Sequence, residues 1–167
     1  MNSIDKFNKL SKPEFISIFG NVFEKTEWIA ERCYDSKPYS NIDELFLKMM
    51  EVFENTEKEK HLEILNAHPN LAVEKKLTED SKNEQKSASL NQCNDAEFIE
   101  FKKLNEEYKK KFGFPFIIAV KGRSRKEILL NFKKRISCDK KIEYEEAIIQ
   151  VKQIANLRID ELKIKFF

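Results

Sequence analysis

From Phe98 onwards a large apolar side chain returns at every third or fourth position, at Phe101, Leu104, Tyr108 and Phe112, and the series stops at Gly113. Side chains at those steps line one face of an α-helix, and a glycine just past the last of them supplies the left-handed residue that commonly closes one. Asp95 can cap its start. Such a face has to be covered by other elements. With only three glycines and four prolines in 167 residues and a charged fraction of 36%, the chain suits long solvated helices better than a turn-rich β fold. A hydrophobic content of 41% at this length builds one sizeable core, so one domain over residues 1–167 is expected.

Other helices announce themselves by their caps. Ser11-Lys12-Pro13-Glu14 reads as a capping box with proline in the first turn, followed by Phe15, Ile18, Phe19 and Val22 at helical spacing. Asn41-Ile42-Asp43-Glu44 opens another helix, with Leu45, Met49 and Phe53 as its stripe, and Lys37-Pro38-Tyr39 connects the two. Ser124-Arg125-Lys126-Glu127 caps a further helix. The last runs from about Ile142, with Tyr144, Ile148, Val151, Ala155 and Leu162 on one face. The expected fold is an all-α, single-domain helical bundle.

One stretch breaks the pattern. Phe114-Pro115-Phe116-Ile117-Ile118-Ala119-Val120 is apolar throughout, and its proline suits extended backbone better than helix. It predicts a lone buried extended segment near residues 114–121. A single strand makes no sheet, yet its buried N–H and C=O groups need partners. Either it packs against helices and is satisfied by protein groups, or it forms a wall of backbone donors for a small polar ligand.

Several function classes are disfavoured by what is missing. The opening Met1-Asn2-Ser3-Ile4-Asp5-Lys6 has no signal-peptide pattern, and no window approaches ~18 uninterrupted apolar residues, so no membrane association is expected. Cys33, Cys93 and Cys138 are odd in number and lack Cys-x-x-Cys spacing, which suggests neither a disulfide framework nor a zinc site. The ending Lys165-Phe166-Phe167 is not a Ser-Lys-Leu-type address, so a cytoplasmic protein is expected. Net charge is +2, but residues 101–141 hold fourteen Lys or Arg against four Asp or Glu. That excess is either a solvated basic face or a surface that attracts an anion, nucleic acid included.

The residues able to do chemistry are few. Of two histidines, His61 and His68, the second precedes Pro69, which biases it to a helix end or loop from which an imidazole can point into a cleft. A lone histidine is more often structural than catalytic, and no carboxylate stands at metal-ligand spacing from either, so no metal site is expected. Ser81, Glu84 and Gln85 share one helical face, although Ser-x-x-Glu is also a capping box and Thr78 could cap instead. Arg158 falls on the apolar stripe of the last helix between Ala155 and Leu162. An arginine there needs a route to solvent, an internal ion pair or a bound carboxylate.

Together, Phe19-Gly20-Asn21-Val22, Ala67-His68-Pro69-Asn70-Leu71-Ala72, Ser81-x-x-Glu84-Gln85, Tyr108-x-x-x-Phe112-Gly113-Phe114-Pro115-Phe116-Ile117-Ile118-Ala119-Val120-Lys121-Gly122 and Leu157-Arg158 resemble, in this order, the 2-oxo-4-hydroxy-4-carboxy-5-ureidoimidazoline decarboxylases over nearly the full length. The resemblance implies cofactor-independent decarboxylation of that small molecule to (S)-allantoin in urate degradation. It implies His68 and Glu84 as the catalytic pair. Pro69, Ser81, Gln85, Ile117, Ile118, Ala119, Val120, Lys121 and Arg158 are implied to bind substrate, in a homodimer. Asn70 stands where the family usually has Asp, and Val73 where Gly commonly follows. The competing readings are a basic nucleic-acid-binding module and a non-catalytic helical interaction domain.

Overall fold

The computed structural model describes residues 3–72 and 77–167, and the described residues are all-α with no strand. The Val73 departure lies outside them. Two compact units form, residues 1–64 with 152–167 and residues 65–151.

The first unit contains α1 (Ser3–Asn8), α2 (Lys12–Phe19), α3 (Glu27–Asp35) and α4 (Ile42–Glu54). It also holds the start of α5 (Lys58–Ala67) and the end of the last helix. Ser11 caps α2 as expected: the Glu14 carboxylate accepts from the Ser11 N–H at 2.9 Å and from its hydroxyl at 2.5 Å. The helix nevertheless stops at Phe19, before Val22, and a separate α3 precedes Lys37-Pro38-Tyr39. Gly20 stands at the stop, still in right-handed helical geometry. A Cβ there would lie 2.5 Å from the Ile16 carbonyl, a contact only glycine avoids. Helix α3 packs against α2 and α4 around Phe15, Phe19, Ile29, Cys33, Leu45 and Met49, and Phe23 stacks on Phe53 at 4.8 Å. His61 is tied to this unit's fold, with its Nε2 2.6 Å from the Phe53 carbonyl near the end of α4.

The second unit contains the end of α5, α6 (Glu79–Ser87), a 3-10 turn (Leu90–Gln92), α7 (Asp95–Phe112) and α8 (Arg125–Arg135). It closes with the first part of α9 (Lys140–Phe166). The cap of α7 is Asn94 rather than Asp95. Asn94 accepts from the Glu97 N–H at 2.8 Å, and Glu97 reaches back to it, so the capping box fixes the start one residue earlier. Gly113 ends α7 at φ 83°, and Ser124 with Glu127 caps α8, both as expected. Residues 114–120 form the anticipated extended segment and all are buried. Phe116 stacks on Phe132 at 3.9 Å, and the Tyr108 ring meets both edge to face.

Burial also has a protonation consequence. It pushes the Cys33 thiol up to about 12 from its ordinary 9.0, and it raises the Tyr39 and Tyr108 hydroxyls. The folded chain holds these protons more tightly than the unfolded one, so their contribution to stability is full below the unfolded values and is lost as pH rises. For Cys33 the loss falls between 9.0 and about 12. Urea midpoints across the alkaline range should therefore decline, less steeply in Cys33→Ala; equal slopes would remove the thiol as a cause.

Candidate functional site

His68 follows the last residue of α5, and its backbone N–H donates to the Leu65 carbonyl at 3.3 Å. Its side chain is buried, at 8% exposure, where a bare imidazole would be costly without polar company. Pro69 ends the helix, and the three residues after it are pinned one by one. Gln85 Nε2 donates to the Asn70 carbonyl at 3.2 Å, Asn105 Nδ2 donates to the Leu71 carbonyl at 2.9 Å, and the Ala72 N–H donates to Gln85 Oε1 at 3.1 Å. Ala72 sits at φ 54°, a conformation that a non-glycine residue keeps only when its surroundings over-determine it. Because the pin takes the backbone carbonyl of Asn70, the Asn-for-Asp departure leaves it intact.

Thr78, rather than Ser81, caps α6: its hydroxyl accepts from the Ser81 N–H at 3.2 Å. Ser81 thereby lies inside the helix, one face of which carries Ser81 and Gln85 buried and Glu84 half-buried. The Gln85 amide uses both its oxygen and its nitrogen on the loop after His68. Its second Nε2 hydrogen has no acceptor among the described residues.

Ile117, Ile118, Ala119 and Val120 are buried and Lys121 is exposed on the following turn. Protein side chains do satisfy part of this segment. Arg135 Nη1 donates to the Ile117 carbonyl at 2.7 Å, the Ala119 N–H donates to Gln150 Oε1 at 2.9 Å, and Arg123 Nε donates to the Ala119 carbonyl at 3.1 Å. The N–H groups of Ile118 and Val120 are in no hydrogen bond among the described residues.

Arg158 belongs to the first unit, where the ion-pair explanation of its position is realised. Nη2 donates to Glu24 Oε2 at 2.7 Å and Nη1 to the Asn21 carbonyl at 2.8 Å, with arginine and glutamate 4% and 1% exposed. The Phe19-Gly20-Asn21-Val22 motif thus places a carbonyl for Arg158, and its two apolar members are buried.

Sequence reasoning passed over Glu24, Asn105, Arg135, Glu143 and Gln150, all buried. Two of them had a visible signal. Glu143 and Gln150 lie at helical steps from Ala147 and Ile154, so the buried stripe of α9 is rotated towards them, and Tyr144, Ile148 and Leu162 are half-buried. The basic residues of 101–141 have internal uses: Arg125 pairs with Glu97, Lys133 with Glu100, and Lys111 donates to the carbonyls of Ile136 and Cys138. Among the described residues no three His, Cys, Asp or Glu side chains gather as a metal-ligand set, and no helix is long and apolar enough to cross a membrane.

A family model described as OHCU decarboxylase matches residues 8–160. The chain is 35% identical over 159 residues to the 2-oxo-4-hydroxy-4-carboxy-5-ureidoimidazoline decarboxylase of Haloferax volcanii, covering 95% of each. It is 37% identical over 162 residues to the uric acid degradation bifunctional protein of Bacillus sp. (strain TB-90), covering 97% of this chain and 32% of that one. The chain thus spans about a third of that bifunctional relative. Among solved structures, an OHCU decarboxylase crystallised in the presence of (S)-allantoin superposes with a TM-score of 0.71 at 27% identity, covering 86% of this chain and 95% of that one. An (S)-allantoin synthase superposes with 0.75 at 25% identity, covering 95% and 53%. By its sequence match from residue 8 to residue 160, and by a helical fold it shares with solved relatives, this chain is a member of the OHCU decarboxylase family.

Proposed function

We propose that the chain decarboxylates 2-oxo-4-hydroxy-4-carboxy-5-ureidoimidazoline to (S)-allantoin in urate degradation, without a cofactor. The observation that carries this reading is the family match over residues 8–160, which spans every residue in the proposed site. Loss of CO₂ leaves an electron pair on the ring carbon. The adjacent carbonyl and C=N groups of the substrate can delocalise it, so the substrate is its own electron sink. The protein's part is to hold the ring in one orientation, disfavour the carboxylate relative to the developing enolate, and deliver a proton to one face.

In this reading His68 exchanges a proton with the substrate hydroxyl or ring, since imidazole is the side chain suited to that task near neutral pH. Glu84 orients the reacting groups, Ser81 and Pro69 line the place where the ring lies, and the backbone of 117–121 receives the ring or ureido oxygens. Gln85 contributes chiefly by holding the loop after His68 and offers its remaining N–H to substrate. Arg158, which also pairs with Glu24 at 2.7 Å, is read as a further substrate-binding residue. We further read the protein as a cytoplasmic homodimer acting on this small molecule rather than on nucleic acid. The three free cysteines fit a reducing compartment.

The test is a coupled assay in which uricase and hydroxyisourate hydrolase generate the intermediate in situ, followed by circular dichroism at an allantoin band. Fast formation of enantiomerically enriched allantoin, undiminished by EDTA, is the expected result. Allantoin appearing only at the spontaneous rate and as a racemate would overturn the reading.

A further inference from the structure

The buried segment 114–120 is held by side chains instead of a neighbouring strand, and its pins keep a register. They fall on the Ile117 carbonyl and on both backbone groups of Ala119. Along an extended chain the N–H and C=O of one residue point to the same side and those of the next to the other. Contacts at 117 and 119 therefore decide which side the protein takes. By the same alternation the N–H groups of Ile118 and Val120, both buried residues, fall on the opposite side. Two such groups two residues apart lie about 6.6 Å from one another. That spacing matches two separate acceptor oxygens of one ligand better than a single carboxylate.

The pins are themselves oriented. Gln150 Nε2 donates to Glu146 Oε1 at 2.8 Å, which fixes the amide so that its oxygen faces the Ala119 N–H. Arg135 places Nε at 2.8 Å and Nη2 at 2.6 Å from Glu143 Oε1, to which the Tyr108 hydroxyl also donates, and its guanidinium lies 4.4 Å from the centre of the Phe116 ring. Glu143 is fully buried, and its second oxygen has no hydrogen-bond partner among the described residues. An ion pair this deep is costly to desolvate, and well-packed apolar replacements of such pairs are often as stable. Its distinctive product is a fixed position for the Ile117 carbonyl.

We propose that Gln150, oriented by Glu146, and Arg135, anchored by Glu143 and Tyr108, are positioning residues that set the register of 117–120, so that the Ile118 and Val120 N–H groups meet two oxygens of the substrate, one on the ring and one on the ureido arm. The inference rests on the decarboxylase reading, which already gives the backbone of 117–121 to the substrate, and adds the residues that hold that backbone in register.

The experiment compares wild type, Gln150→Leu and the exchange Glu146→Gln/Gln150→Glu, which keeps both hydrogen bonds with the partners swapped. Steady-state constants are measured in the coupled assay, and amide hydrogen exchange of residues 117–120 is followed with and without (S)-allantoin. Gln150→Leu should raise KM roughly ten- to a hundredfold with a much smaller change in kcat, and should lose allantoin-dependent protection at Ile118 and Val120. The exchanged pair should recover most of both. Wild-type KM and protection in folded Gln150→Leu, or no allantoin-dependent protection at those two amides in wild type, overturns the proposal even where turnover is normal. Missing wild-type turnover, by contrast, strikes the decarboxylase reading, and protection at Ile118 and Val120 would still uphold the donors.

Discussion

His68→Ala is expected to lower kcat for the decarboxylation by ~10²–10⁴-fold, the usual worth of a positioned acid-base group. His68 follows the end of α5 and precedes a loop held at three successive residues by Gln85 and Asn105. Alanine leaves those backbone pins in place, so the far-ultraviolet circular dichroism should stay that of a folded helical protein while turnover falls. Glu84→Gln keeps the size and polarity of the side chain but removes its charge, and should also depress kcat more than it changes KM. Rapid-quench or continuous dichroism assays of both purified variants decide the matter. If either folded variant turns over within a few-fold of wild type, that residue leaves the mechanism.

The second large effect concerns stability. Glu24 and Arg158 form an ion pair almost wholly out of water, with the Asn21 carbonyl as a further acceptor. Removing one partner strands the other charge in the interior, so Arg158→Met or Glu24→Gln should cost roughly 3–5 kcal/mol. For a chain of this length each kcal/mol moves the melting temperature by about 2–4 °C. The double replacement should recover a large part of that loss, because no charge is left uncompensated. Calorimetry on the four proteins closes the cycle. If the single losses are each below about 1 kcal/mol, or simply add in the double variant, the pair is not what holds Arg158 in place.

These expectations show where sequence was readable. Caps are local: Ser11 with Glu14 and Ser124 with Glu127 need only residues three apart, so both helix starts were legible. Asn94 was legible too, since Glu97 stands three residues on, but Asp95 is an equally good cap by residue type and drew the reading one position along. The break between α2 and α3 was hidden because the connection contains a close approach at Gly20 and Lys25 at φ 49°, neither visible as periodicity. Of the site, the identity of His68, Ser81, Glu84 and Gln85 could be read as a motif. The use of the Gln85 amide on the loop after His68 could not, because its partners lie 13 and 15 residues away.

By itself, then, the sequence determined that the chain is helical, where several helices begin, and that residues 114–120 would be buried and extended, because spacing, caps and a proline act over a few residues. Only the tertiary structure decided which buried polar groups answer one another: Glu24 with Arg158, Glu143 with Arg135 and Tyr108, and Gln150 with Ala119. The physical reason is desolvation. A charge or amide excluded from water takes whatever partner folding brings within about 3 Å, and that choice is made across the chain, not along it.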